Sequence, residues 1–258
     1  MSQPGHLNGL HHVIAITGDA RRNLDVYTGV LGLRLVAKSV NQDDPRAYHL
    51  YYGDERGTPG AVISFFEYAR AIPGRAGAGM VHRIAWLVAS AAALNFWAER
   101  LAGAGICIDR RPERLLFADP DGLGHELVAD VGADAPLVAS HPEIPAQLAL
   151  QGLSGIRAYA SQPELTGRVL ADVLGGARRG PARWELRGSR RGGWIAFEKA
   201  PSEPAVRGAG TVHHVAFALT PRRTRTGRRG CTRSACPPLA SSTATSSGPS
   251  TSASPAAS

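Results

Sequence analysis

An α+β fold built from tandem β-α-β-β-β modules, forming paired half-open sheets around a cavity, is predicted by three features of the 258-residue sequence. One short apolar strand pattern occurs four times. A capped helical stretch follows three of the four copies, and strand-like runs bounded by turn residues follow each helix. Aligned on their hydrophobic runs, Leu10–Ala15, Val81–Trp86, Leu153–Ala158 and Val212–Phe217 put residues 12, 83, 155 and 214 in equivalent positions, 71, 72 and 59 residues apart. Each copy reads as a half-buried strand.

The helices follow from caps and apolar spacing. Asp19 can cap residues 20–31, where Leu24, Val26, Tyr27, Val30 and Leu31 approximate helical spacing before Gly32. Ser90 can cap residues 91–104 ahead of Gly105, and Ser161 with Glu164 suggests a capping box before residues 165–174 and Gly175. The strand-like runs are 48–52 and 61–66, then 115–117 and 125–128, then 183–186 and 194–197. The fourth copy stops after its first strand, so the fourth module is truncated. The expected organisation is a first module pair over 8–132, a linker over 133–150, the third module with the first strand of the fourth over 151–220, and a disordered tail over 221–258.

Composition bounds the function. An apolar fraction of 43% and a charged fraction of 19% are those of a globular chain. Three cysteines without a Cys-x-x-Cys pair argue against a thiolate zinc site or a disulfide framework and fit a reducing cytoplasm. The N-terminus has no apolar signal segment, and no window is apolar enough for a membrane span. The net charge of +8 is concentrated in residues 221–258, which hold six arginines and no acid; without those six, 23 basic residues face 21 acidic ones. That tail has no aromatic residue, so the footprint of a nucleic-acid binder is missing.

The tail differs in kind from the body. It contains fifteen Ser or Thr and only one residue from Val, Ile, Leu or Met, namely Leu239. Such a segment buries too little apolar area to offset chain entropy. Its composition fits either a natural low-complexity tail or a GC-rich gene read out of frame. Back-translated with free choice of degenerate bases and shifted by one base, residues 242–258 give aromatic, β-rich runs and a turn.

The repeat, with GLHHVIAIT leading into a helix and then VYTGVLGLRLV, resembles the vicinal oxygen chelate superfamily of glyoxalases, bleomycin-resistance proteins and extradiol dioxygenases. The segments SVNQDDPRAYHLYYGD, GTPGAVISFF and GTVHHVAFAL resemble more narrowly its four-module ring-cleaving dioxygenases acting on hydroquinone- or catechol-type substrates. The resemblance spans roughly residues 8–220. It implies a metal in the cavity, a small aromatic substrate and dioxygen as partners, and ligands on the first and last strands of modules whose sheets face each other. Fe(II) is the implied metal, with Mn(II) or Zn(II) as alternatives, because two histidines and one carboxylate suit a non-haem iron with open positions.

By the repeat alignment His12 and His214 occupy the ligand position in modules one and four, while Arg83 and Gly155 replace it in modules two and three. Strand alternation predicts that His11, His82 and His213 point to the opposite face. The bland reading of any one strand histidine is a hydrogen-bonded core or surface residue. The family's third ligand is a glutamate on the last strand of the fourth module, yet the chain has no acid after Glu203. Glu126 is the equivalent glutamate of module two and reads as a structural residue; its pairing with His12 would be the glyoxalase-like alternative. Tyr48 and His49 are candidate proton-transfer groups, though ordinary strand residues by default. Trp86, Trp97, Trp184 and Trp194 read as core or rim aromatics, and Cys107 as a small inert hydrophobe.

The sequence thus predicts a metal-dependent ring-cleaving dioxygenase, impaired in this chain. A glyoxalase-type metalloenzyme and a non-enzymatic, bleomycin-resistance-like binder are the alternatives. The truncated fourth module predicts an exposed apolar face on module three and poor solubility; oligomeric state is left open.

Overall fold

The computed structural model describes residues 7–130, 134–189 and 191–219. The first module comprises β1 (Leu7–Thr17), α1 (Ala20–Leu24, continuing as a π-helical turn over Asp25–Val30), β2 (Arg34–Val40), β3 (Tyr48–Gly53) and β4 (Val62–Glu67). The second runs β5 (Val81–Val88), α2 (Ala91–Gly103), β6 (Ile108–Arg111), β7 (Arg114–Ala118) and β8 (Gly124–Ala129). The third holds β9 (Leu153–Tyr159), α3 (Pro163–Arg168, with a π-helical continuation over Val169–Val173), β10 (Ala177–Gly180), β11 (Arg183–Glu185) and β12 (Trp194–Glu198). The fourth contributes β13 (Val212–Leu219). The truncation and the proposed frame change concern residues beyond Leu219, which lie outside the described residues.

Two of the three predicted caps form. Asp19 Oδ1 accepts from the backbone N–H groups of Arg21 and Arg22 at 2.9 and 3.0 Å, and Ser90 Oγ accepts from that of Ala93 at 3.2 Å. The third cap is Gln162 and not Ser161, with no side-chain hydrogen bond. Pro163 takes the first helical position, where its fixed φ fits and its missing N–H costs nothing.

Every complete module has the same internal wiring. Its first strand pairs in parallel with its last, so β1 lies beside β4, β5 beside β8 and β9 beside β12. Modules then join through their first strands, antiparallel: β1 with β13, and β5 with β9. The result is a five-stranded sheet, β13-β1-β4-β3-β2, and an eight-stranded sheet, β10-β11-β12-β9-β5-β8-β7-β6. Module one therefore shares a sheet with the strand of module four, and module two with module three.

The register preserves the repeat. Ile14 faces His214 and His12 faces Ala216 in the first sheet; Ala85 faces Gly155 and Arg83 faces Arg157 in the second. His12 and His214 thus have non-ligating counterparts in the second sheet, Arg83 and Gly155, as the alignment of residues 12, 83, 155 and 214 requires. The expected geometry of strands on facing sheets gives way to neighbouring strands of one sheet, which brings residues 12 and 214 closer.

One continuous apolar core contains residues of all the modules, with Trp86, Trp97, Tyr27, Tyr52 and Phe65 its largest fully buried side chains. Trp184 and Trp194 are 2% and 7% exposed, as expected of core aromatics. A separate small cluster, Ala85, Trp194 and Ala196, lies on the other face of the eight-stranded sheet. There the Trp194 ring lies against Gly155: a Cβ at 155 would meet it at 2.2 Å. Gly155→Ala is therefore expected to destabilise the fold by about 1–3 kcal/mol through overpacking, read as a lowered midpoint in urea.

Modules one and two are also pinned by a buried polar chain that the sequence did not announce. Trp86 Nε1–H donates to His125 Nδ1 at 3.1 Å. That acceptor role places the proton of the neutral ring on Nε2, which donates to Tyr27 Oη at 2.9 Å. The Tyr27 hydroxyl then donates to Asp119 Oδ2 at 3.0 Å. Asp119 Oδ1 in turn accepts from the backbone N–H groups of Asp121 and Leu123, both at 2.9 Å, fixing the turn before β8.

Candidate functional site

The face of the five-stranded sheet turned away from Val13, Leu50 and Ile63 carries the histidines. Pairing aligns His214, Ile14, Ser64 and Tyr51 in one row across β13, β1, β4 and β3. Residues two positions away on each strand share that face, which adds His12 and His49. The His12 and His214 ring centroids are 5.8 Å apart at 70°. The structure therefore brings the two sequence-predicted ligands together.

Their neighbours do not point the other way, contrary to the alternation argument. His11 Nδ1 lies 2.9 Å from His12 Nδ1, and His213 Nδ1 lies 3.0 Å from His214 Nδ1. The His213 ring also packs edge-on against Phe66 at 5.3 Å. Register shifts between Leu10 and His12 and between Ile14 and Ala15 explain this, because a bulge inserts a residue and breaks the two-residue period.

Burial keeps the rings of His12, His214 and His49 neutral. Burial lowers the pKa of His12, helped by His11 and His214; burial and His213 lower that of His214. His49 is pushed down to about 4 by burial, then by His12 and His214. A neutral imidazole has a free lone pair, the state a metal ligand requires.

His49 is engaged internally. Tyr51 Oη lies 2.6 Å from its Nδ1, and its Nε2 lies 3.0 Å from Ser64 Oγ. With the phenol donating to Nδ1, the ring proton sits on Nε2 and is given to Ser64. Tyr48, the other sequence candidate, faces away from this site, is 44% exposed and takes Lys38 Nζ over its ring at 3.9 Å. Tyr51 and Ser64 were missed; their signal was the two-residue offset from His49 and the register between two apolar strands.

Glu126 belongs to a different structure. It is 1% exposed, and Arg157 grips it with Nε–Oε2 at 2.5 Å and Nη2–Oε1 at 2.9 Å, while Arg114 adds a contact at 3.4 Å. Burial opposes its ionisation, but the guanidinium of Arg157 holds its pKa below the usual carboxylate range. Arg157 also binds Glu198, whose other oxygen lies 3.3 Å from His82 Nε2. The pairing of Glu126 with His12 does not occur. Cys107, expected as a small inert hydrophobe, is an exposed free thiol.

The donor set thus meets two of the three positions of a two-histidine, one-carboxylate centre. No group of three His, Cys, Asp or Glu able to hold a metal exists among the described residues. The sequence holds no acid beyond Glu203.

The family model of the glyoxalase/bleomycin resistance protein/dioxygenase superfamily matches residues 9–127. A Bacillus subtilis (strain 168) protein named "Putative ring-cleaving dioxygenase MhqO" is 37% identical over 217 residues, covering 81% of this chain and 69% of its own length. The chain belongs to this superfamily. A chlorohydroquinone/hydroquinone 1,2-dioxygenase of Sphingobium indicum is 29% identical, over 84% of this chain and 72% of that protein. Among solved members, a Bacillus subtilis structure described as a "putative dioxygenase" matches with a TM-score of 0.75 and 35% identity, covering 83% of this chain and 70% of that one. Maize glyoxalase I, at 16% identity and a TM-score of 0.60, shares the fold. No helix among the described residues is long and apolar enough to cross a membrane.

Proposed function

We propose that this chain is a ring-cleaving dioxygenase of hydroxylated aromatics, hydroquinones or catechols, slow in turnover because its described residues supply two of the three ligands. The observation that carries the reading is the pair of neutral imidazoles, His12 and His214, side by side on one sheet face in a chain resembling named ring-cleaving dioxygenases. Fe(II) is the metal proposed, with Mn(II) or Zn(II) as alternatives; when bound it would bring phenolic oxygen and dioxygen together and stabilise developing negative charge. His12 and His214 would hold it. His49, with its Nε2 proton given to Ser64 and its Nδ1 accepting from Tyr51, would hold the Tyr51 hydroxyl in place beside the two ligands.

The two-ligand set also favours a second reading, a binding protein that takes the aromatic diol without turnover. Calorimetric titration with Fe(II) and Zn(II) under argon tests the ligand assignment. One site per chain is expected, with affinity falling at least about tenfold in His12→Ala and in His214→Ala. Unchanged affinity in both variants would remove these residues from the site. Turnover of a hemithioacetal would instead favour a glyoxalase-type enzyme.

A further inference from the structure

Apart from the histidine face, a cavity of about 710 Å³ opens at one end of the eight-stranded sheet. It is built on β5 to β9, whereas β13 lies in the other sheet. Ile108 of β6, Leu116 of β7, Tyr159 of β9 and Pro201 wall it, and two guanidinium groups, those of Arg75 and Arg83, border the same space. The middle of this sheet face is filled by Trp194 and by the ion pairs of Arg157. The end at Arg83 is open.

Arg83 stands where the repeat places His12 in the first sheet. A register shift between Val81 and Arg83 brings both His82 and Arg83 to the cavity. His82 is accounted for: its ring stacks on Tyr159 at 3.9 Å and 9°, and its Nε2 lies 3.3 Å from Glu198 Oε2. Arg83 is not. Its Nε is shut off from solvent without an acceptor, and its side chain makes no hydrogen bond or ion pair among the described residues. The neighbouring arginines differ, since Arg157 holds Glu126 and Glu198, and Arg114 reaches Glu126. Arg75, at the rim, donates from Nε and Nη2 to the Pro204 carbonyl at 3.2 and 3.0 Å. That orients its fork but leaves it without a carboxylate partner among the described residues. Asp109 is the one carboxylate on the described lining, and Arg111 already takes it at 2.7 Å.

Two cations without a counter-charge therefore border an otherwise apolar space of ligand size. A guanidinium partly withdrawn from water is tolerable when an anion completes it, and a carboxylate matches its fork with two parallel hydrogen bonds. Apolar walls suit a hydrocarbon body behind that carboxylate and disfavour a fully hydrated ion. We infer that this cavity is a second ligand site, taking a small organic carboxylate whose charged end meets Arg83 and Arg75 and whose apolar body lies against Leu116 and Tyr159. It is separate from the histidine face and needs no metal there.

Calorimetric titration of the full chain with benzoate, benzamide and inorganic phosphate tests this. Benzoate is expected to bind one site per chain. Benzamide, lacking the charge, and phosphate, lacking the apolar body, should bind at least about tenfold more weakly. Arg83→Gln should cost at least about tenfold in benzoate affinity with an unchanged thermal melt, while His12→Ala binds benzoate as the unaltered chain does. Should Arg83→Gln fail to fold, Arg75→Gln at the exposed rim should weaken benzoate at least about threefold. Cys107 gives a second reading, because this exposed thiol lines the cavity. Benzoate should slow its alkylation by iodoacetamide in the unaltered chain and not in Arg83→Gln. No benzoate binding, equal binding of benzamide or phosphate, or loss of binding in His12→Ala would overturn the inference.

Discussion

Glu126→Ala is expected to lower the unfolding free energy by about 3–5 kcal/mol, measured by urea denaturation. Glu126 sits on β8 with 1% exposure, and Arg157, on β9, makes two hydrogen bonds to it. Both charges are largely out of water, so each is tolerable only through the other. Removing the carboxylate leaves the guanidinium with Glu198 alone, 38% exposed on its side chain and poorly placed to neutralise it. Replacing both partners by leucine should recover much of the loss, because no uncompensated charge remains. A single-variant loss below about 1 kcal/mol would show the pair to be a surface-like ion pair.

Acid is expected to destabilise the fold before most carboxylates titrate. Burial pushes His125 down to about 3, and His82 and His49 to about 4. A histidine with a depressed folded pKa binds its proton first in the unfolded chain. The stability it contributes is present above its unfolded value near 6.5 and is lost as pH falls towards the folded value. Asp119 works in the opposite sense: burial raises its pKa to about 6, so the native state takes up that proton first between about 6 and 4. The protons of His125, His82 and His49, joined by those of His12 and His214, favour the unfolded chain against the single proton of Asp119, so stability falls as pH drops through that window. Urea midpoints at pH 7, 6 and 5 measure it. His125→Gln should flatten the slope by about 1.4 kcal/mol per unit; an unaltered slope would mean that His125 is already charged in the fold.

Much of this architecture was legible because the repeat carries its own register. The alignment of residues 12, 83, 155 and 214 came from apolar runs alone, and the strand pairing reproduces it position by position. What escaped has physical causes. The second strands of modules two and three leave no signal in the sequence, because Ile108–Arg111 and Ala177–Gly180 are short, charged stretches with no apolar alternation. They form the edges of the eight-stranded sheet, where arginines discourage further pairing. The directions of His11 and His213 were misread because a bulge leaves no mark in an apolar pattern. Tyr51 and Ser64 could be placed beside His49 only through the register of β3 on β4, which is information between strands.

The second sheet shows why one face, and not both, is a candidate metal site. At the position equivalent to His214 it has Gly155, whose missing side chain makes room for the Trp194 ring. Around that ring stand Arg157 at 5.2 Å and Arg183 at 4.4 Å. The counterpart of the histidine face is thus packed with an indole and ion pairs. On the first sheet the rings of His12 and His214 are only half-buried or exposed, and they remain available.

Dioxygen consumption by the Fe(II)-loaded chain with hydroquinone, with and without added formate, decides whether His12 and His214 support ring cleavage. A small carboxylate can stand where no Asp or Glu of this chain does. Slow uptake is expected, accelerated by formate and abolished in His12→Ala and in His214→Ala. Hydroquinone binding without uptake under either condition would contradict the dioxygenase reading and leave a binding protein.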